Sequence, residues 1–229
     1  MKEAIILAGG RGTRLRDVVK DLPKPMASVN GRPFLNFILD RLSEEKYTHI
    51  YLSIGYLADS IREYFGDNYL DLNLIYVEEN YPLGTGGAVK KSMSRVLGDH
   101  ALVINGDTYS DVSYAAMEDL YRDTGDIIIG VKFMKDVSRY GGVSINCGKV
   151  INFAEKNKIG PGFINVGAYI LGSRFFQNYS LDVPFSLESD FLPAAVADKI
   201  VRACEKCNNF IDIGVPEDYF RAQTFFNKL

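Results

Sequence analysis

The sequence predicts an α/β fold: one Rossmann-like, doubly wound mixed sheet with a small antiparallel extension. Three observations lead there. Short apolar runs alternate with segments of helical period through the first half. A glycine-rich turn follows directly on the first of those runs. After Asp111 the helices thin out and strand-like runs succeed one another across turns.

Ala4–Ala8 is a continuous apolar run, suited to the middle of a parallel sheet. From Pro33 to Leu42 the apolar residues Phe34, Leu35, Phe37, Ile38, Leu39 and Leu42 recur at helical spacing, with Pro33 where a first turn tolerates it. Ile50–Ile54 reads as a second strand and Leu57–Phe65 as a helix that Gly66 stops. Leu74–Val77 is a third strand. A glycine cluster precedes a helix over Val89–Leu97, and Ala101–Ile104 is a fourth strand. A helix over Ala115–Thr124 and a strand over Ile127–Lys132 continue the pattern. Gly141–Ile145, Val150–Phe153 and Asn165–Leu171 then read as strands of an antiparallel extension, and the aromatic-rich C-terminus as a helix packed on the core.

Bulk properties bound the function. The length of 229 residues suits one domain, and no linker-like segment divides it. A net charge of −3 gives no electrostatic reason to expect nucleic acid or an anionic membrane as partner. The first apolar run is far too short for a signal segment or a membrane span, and a cytoplasmic location is expected. Three cysteines suggest no disulfide framework. Cys204 and Cys207 have CxxC spacing without a second pair, and His49 and His100 form no metal-binding grouping.

The chemistry-bearing stretch is Leu7–Pro25. Gly9, Gly10, Arg11, Gly12, Thr13 and Arg14 follow the first strand, an order that offers backbone N–H groups to phosphate. Arg14 lies within the loop, and Lys24 stands between Pro23 and Pro25, which are expected to hold it extended. The loop ends Gly-Thr-Arg, so it is not a Walker A loop. Leu15 stands where a dinucleotide fingerprint needs its third glycine.

Asp107, in Asn105-Gly106-Asp107, follows a strand directly and so falls at the edge where α/β sheets bind ligands. Alternatively it caps the next turn. Asp212 is a second acid that ends an apolar run. Two carboxylates from distant positions suit Mg²⁺, which typically takes one or two of them plus substrate phosphates. The inventory fits phosphoryl or nucleotidyl transfer. It contains no GxSxG elbow and no Cys–His pair, and none is needed. A phosphate monoester that attacks as nucleophile, with a second pKa of about 6, is already largely dianionic at neutral pH.

Six stretches carry a resemblance along nearly the whole chain: LAGGRGTRL with PKP, EENYPLGTGG, NGD, YGGV, EK with GFINVGAYIL, and DIGVPEDY. Together they resemble the sugar-1-phosphate nucleotidyltransferases, which implies the nucleotide-diphospho-sugar transferase type of fold. The resemblance implies a nucleotide-binding half over about 1–111 and a sugar-binding half over about 112–229. It implies that Leu7, Ala8, Gly9, Gly10, Arg11, Gly12, Thr13, Arg14 and Lys24 hold a nucleoside triphosphate. Arg14 would neutralise the leaving pyrophosphate, Lys24 the α-phosphate, and Asp107 and Asp212 would bind Mg²⁺. Gly141, Glu155, Lys156 and Asn165 match positions that hold the sugar phosphate. The family pattern has Pro and Thr after GTRL, where this chain has Arg16-Asp17, and that departure leaves the sugar open.

The base is expected to be read by the segment from Glu79 to Gly84 and Thr85. Relatives that use uracil or thymine place a glutamine where this chain has Glu79. A carboxylate only accepts hydrogen bonds, so it suits the paired N1–H and N2–H₂ donors of guanine and favours GTP. Alternatively Glu79 faces solvent and a backbone group reads the base. Two other classes remain open: a glycosyltransferase, which would need Asp-x-Asp where Asn105-Gly106-Asp107 stands, and a non-catalytic nucleotide-sugar sensor. Phe225 and Phe226, near the end of the chain, suggest a possible homodimer contact.

Overall fold

The computed structural model describes residues 1–10, 22–154, 159–178 and 184–227. In chain order the elements begin with β1 (Glu3–Leu7), a 3₁₀ turn over Lys24–Met26, β2 (Ser28–Val29), β3 (Arg32–Pro33) and α1 (Phe34–Glu44). There follow β4 (His49–Ile54), α2 (Ala58–Phe65), β5 (Asn68–Tyr69), β6 (Leu72–Glu78) and α3 (Gly84–Met93). Next come β7 (His100–Asn105), β8 (Thr108–Ser110), α4 (Tyr114–Thr124), β9 (Ile127–Met134), β10 (Val143–Asn146), β11 (Lys149–Phe153) and β12 (Gly162–Gly172). The chain closes with α5 (Phe175–Asn178), a π turn over Leu187–Phe191, α6 (Leu192–Ala197), β13 (Val201–Cys204), β14 (Phe210–Asp212) and α7 (Pro216–Phe225).

These elements form two compact units. The first comprises Met1–Pro82, Lys91–Tyr109 and Ile211–Leu229, and the second Leu83–Lys90 and Ser110–Phe210. The chain therefore enters the second unit briefly at Leu83 and returns to the first at its end.

In the first unit β1 lies between β4 and β7, parallel to both, and β6 runs parallel to β4. The short β5 closes the edge antiparallel to β6. Continuous apolar runs suit strands covered on both faces, and Ala4, Ile5, Ile6, Ile50, Leu52, Leu102 and Val103 are all buried. The C-terminal helix belongs to this unit. The Tyr219 hydroxyl and the Gln223 amide Nε2 both donate to the Ser28 carbonyl, and Gln223 Oε1 accepts from Asn30 N–H. Phe226 stacks on Phe37 with ring centroids 4.0 Å apart and meets Phe34 and Tyr109 edge-on. Phe226 thus packs within its own unit.

The second unit is mixed. β12 runs antiparallel to β9, and β10 and β11 form an antiparallel pair with an irregular register. These agree with the antiparallel extension expected from sequence. β13, however, runs parallel to β9, pairing Val201 with Ile127 and Cys204 with Gly130. Four residues with a half-exposed arginine among them gave no period to read.

The glycine cluster departs from expectation as well. α3 begins at Gly84 inside it and ends at Met93, rather than running Val89–Leu97. A Cβ at Gly86 would lie 2.2 Å from the Phe185 ring, so glycine is present there for close packing, and that packing outweighs its poor helix propensity.

Candidate active site

β1 delivers the start of the glycine-rich loop. Ala8 N–H donates to the Ser53 carbonyl at 2.8 Å, which aligns the first loop residues with the end of β4. At Gly9 an added Cβ would stand 2.8 Å from Glu79 Oε1. The bare backbone of Gly9 therefore gives Glu79 its place. Ser53 Oγ donates to the same Oε1 at 3.0 Å, and Glu79 N–H donates to the Ile54 carbonyl at 2.8 Å. Glu79 is half-buried. Ser53 gave no signal in the sequence beyond being a small polar residue in a buried strand. Arg11, Gly12, Thr13 and Arg14 lie outside the described residues, as do Glu155 and Lys156.

Asn105-Gly106-Asp107 meets the end of β1. Gly106 N–H donates to the Leu7 carbonyl at 2.9 Å, and a Cβ at Gly106 would lie 2.7 Å from that oxygen. The glycine is required by this approach, which sets Asp107 beside the loop that Leu7 leads into.

Lys24 reaches the same place from elsewhere. Pro23 is extended, with φ −68° and ψ 149°, but Lys24 opens a 3₁₀ turn instead of continuing extended. Two backbone bonds, Met26 N–H to Pro23 O and Ala27 N–H to Lys24 O, outweigh the extended preference of a residue before proline. The lysine therefore sits in a tighter turn than expected. Its Nζ lies 3.0 Å from Asp107 Oδ2.

Asp212 completes the cluster. Ile213 N–H donates to the Asp107 carbonyl at 3.0 Å, which ties the two aspartate segments together. Asp212 Oδ1 accepts from Gly214 N–H at 2.7 Å. A Cβ at Gly214 would lie 2.7 Å from Asp212 Oδ1 and 3.3 Å from Lys24 Nζ, so ammonium and second carboxylate are neighbours. Among the described residues no group of three or more His, Cys, Asp or Glu side chains could hold a metal. The two aspartates offer hard oxygen donors, a donor set that fits a divalent cation such as Mg²⁺ and not a closed zinc site. Cys204 and Cys207 are buried and not joined in a disulfide, and burial pushes the Cys204 thiol up. That makes it a poor nucleophile or metal ligand.

In the second unit Val143 pairs with Phe153 on one side and with Phe163 on the other. Two residues beyond, at the same end of these pairings, stand Gly141 and Asn165. Gly141 has φ +84°, a left-handed turn that only glycine adopts readily, and its N–H donates to the Val137 carbonyl. Ala154 N–H donates to the Gly142 carbonyl at 2.7 Å, just before Glu155. Asn165 Oδ1 accepts from Gly167 N–H at 3.0 Å and its Nδ2 donates to the Tyr169 hydroxyl at 2.9 Å.

Gly84 and Thr85 belong to this unit too. Gly84 has φ +74°, and a Cβ there would stand 2.3 Å from the Phe185 carbonyl. Thr85 Oγ1 accepts from Leu187 N–H at 2.8 Å and donates to Glu188 Oε2 at 2.7 Å. Glu188 is a residue that the sequence reading missed: it sits in Ser186-Leu187-Glu188-Ser189, a stretch with neither glycine nor a charge pattern to mark it.

A parallel sheet ending in a glycine loop, with a lysine and two aspartates gathered at its edge, defines a phosphate-handling α/β protein. The chain belongs to the nucleotidyl transferase family, whose model matches residues 3–228. Members of that family generally use a divalent metal. The chain is 41% identical to the D-glycero-alpha-D-manno-heptose 1-phosphate guanylyltransferase of Campylobacter jejuni, over 95% of this chain and 97% of that one. It is 40% identical to the enzyme of the same name from Aneurinibacillus thermoaerophilus, over 96% of each. The crystal structure of HddC from Yersinia pseudotuberculosis superposes with a TM-score of 0.88 at 39% identity, covering 99% of this chain and 100% of that one; the same protein is also solved in complex with GMP-PN. The fold expected from sequence is thereby established. No described helix is long and apolar enough to cross a membrane.

Proposed function

We propose that the protein transfers GMP from GTP to a sugar 1-phosphate, D-glycero-α-D-manno-heptose 1-phosphate, giving GDP-heptose and pyrophosphate. The observation that carries the chemistry is the cluster of Lys24, Asp107 and Asp212. The names of the relatives at 40% and 41% identity, each covered almost end to end, support guanine and heptose.

In this reading an oxygen of the sugar phosphate attacks the α-phosphorus of GTP, and the bond from that phosphorus to the β-phosphate oxygen breaks. Pyrophosphate leaves with the electron pair. The attacking oxygen is already anionic, so no side chain removes a proton. Catalysis reduces to alignment and to offsetting charge. The Gly9–Gly10 backbone and Arg14 receive the triphosphate. Lys24, positioned by Asp107, meets the charge that develops at the α-phosphate. Asp107 and Asp212 would hold Mg²⁺, which when bound neutralises phosphate oxygens and orients them for displacement. Glu79, steadied by Ser53, accepts from N1–H and N2–H₂ of guanine. Gly84 and Thr85 continue the nucleotide contacts, while Gly141, Glu155, Lys156 and Asn165 take the sugar phosphate. The reaction needs only cytosolic reactants, and we place the protein in the cytoplasm.

The test is a pyrophosphate-release panel with Mg²⁺, crossing GTP, UTP, dTTP, CTP and ATP with heptose, mannose and glucose 1-phosphates. Release with GTP and heptose 1-phosphate is expected. Release with GTP and mannose 1-phosphate would keep the chemistry and overturn the sugar. Preference for a pyrimidine nucleotide would overturn the role of Glu79.

A further inference from the structure

Four side chains of the second unit form one hydrogen-bonded chain whose direction is fixed at both ends. Gly167 N–H must meet the carbonyl oxygen of Asn165, so Asn165 Oδ1 is the acceptor and its Nδ2 faces Tyr169. The Tyr169 hydroxyl accepts that N–H and therefore donates onward, to Glu188 Oε1 at 3.2 Å. At the other end Leu187 N–H donates to Thr85 Oγ1, so the Thr85 hydroxyl donates to Glu188 Oε2 at 2.7 Å. Ser186 Oγ reaches the same oxygen at 3.2 Å.

Three hydroxyls thus converge on one carboxylate, an arrangement that an ionised glutamate satisfies and an amide does not. Tyr169 is fully buried, and burial together with the Glu188 charge holds its phenol well above the ordinary range. It stays a neutral donor, as the chain of bonds requires. An amide nitrogen carries two N–H bonds. Tyr169 takes one from Asn165, which orients the other for a hydroxyl oxygen.

We propose that Glu188 is a positioning residue that sets Asn165 for the sugar hydroxyls through Tyr169 and sets Thr85 for the nucleotide through its other oxygen. This rests on the functional reading of Asn165 and Thr85 given above. One carboxylate then governs both substrate contacts, and the two arms are separable. Tyr169→Phe cuts only the Asn165 arm. Glu188→Ala removes the acceptor from all three hydroxyls, and so disturbs both.

The experiment measures pyrophosphate release and, separately, GTP binding by calorimetry for wild type, Tyr169→Phe and Glu188→Ala, with thermal unfolding of each. Tyr169→Phe is expected to raise KM for the sugar 1-phosphate roughly tenfold, as loss of one buried hydrogen bond does, with GTP affinity unchanged. Glu188→Ala is expected to raise that KM and weaken GTP binding as well. A sugar KM unmoved in both variants overturns the proposal. So does a uniform loss of kcat that follows the drop in Tm, since that marks a merely structural role. A wild type that releases no pyrophosphate in any substrate pairing defeats the functional reading and the proposal with it. Normal wild-type turnover with an unmoved KM defeats the proposal alone.

Discussion

Lys24 Nζ and Asp107 Oδ2 lie 3.0 Å apart although 83 residues separate them in the chain. The aspartate is brought there by the Gly106 contact with Leu7, and the lysine by the turn between Pro23 and Ala27. Each backbone device would stand without the ion pair. The pair is therefore a consequence of the fold, available to act on a ligand, and not a clamp on which folding depends.

Lys24→Ala is accordingly expected to leave thermal stability nearly unchanged while kcat falls on the order of a hundredfold, the size seen when one donor to developing charge is removed. GTP affinity should change much less, because the lysine acts where charge develops. Steady-state kinetics beside GTP calorimetry checks this. Equal losses in kcat and GTP affinity would show that Lys24 only binds nucleotide.

Asp107→Asn and Asp212→Asn should each weaken the metal site while preserving the fold. Turnover at fixed Mg²⁺ is expected to fall by a factor on the order of a hundred, with the Mg²⁺ dependence displaced to higher concentration. A chelator should abolish wild-type turnover. Full activity in both variants at low Mg²⁺ would remove the aspartates from that role.

Two glycines separate function from stability. The Cβ of Gly9→Ala would meet Glu79 Oε1, the far end of a flexible side chain, so the carboxylate can swing aside at little cost. Stability should hold and preference for GTP over UTP should weaken, as in Glu79→Gln. The Cβ of Gly106→Ala would meet the Leu7 carbonyl, which cannot move without shifting β1. That variant is expected to lose stability by about 1–3 kcal/mol, in the range of overpacked sites. Unfolding curves and a nucleotide competition assay distinguish the two. Unchanged selectivity in Gly9→Ala would detach Glu79 from base reading.

Glu3 gives a pH dependence of known sign. Burial pushes its carboxyl up, but bonds from Leu97 N–H, the Tyr51 hydroxyl and Gly98 N–H outweigh burial, and the net shift is downward. A carboxylate whose folded pKa is depressed stabilises fully above its unfolded value of about 4.3 and loses that contribution as pH falls through the folded value. Glu3→Gln leaves a donor facing a donor and should cost about 1–3 kcal/mol at pH 7. The Tm gap between wild type and variant should narrow below about pH 4. A gap that stays constant to lower pH would show that Glu3 carries no such charge-dependent stabilisation.

Long periodic segments were legible from sequence. α1, α2 and α4 and the strands β1, β4, β6 and β7 lie within a few residues of where apolar period and caps put them, and Gly66 and Gly125 end their helices with positive φ. Lys24, Asp107 and Asp212 could be singled out because the lysine stands between two prolines and each aspartate ends or follows an apolar run. Glu188, Ser53 and β13 could not, because their meaning depends on partners far away in the chain: Thr85 and Tyr169, Glu79, and β9. α3 was misplaced for the same reason, since what fixes its start is the ring of Phe185, 99 residues beyond Gly86.

The most direct test of guanylyl transfer follows the α-phosphate itself. GTP labelled at that phosphorus is incubated with heptose 1-phosphate, Mg²⁺ and the protein, and the products are separated. The account predicts that all transferred label appears in GDP-heptose, with one unlabelled pyrophosphate released for each. Label recovered as free GMP or GDP, with no nucleotide sugar formed, would contradict it.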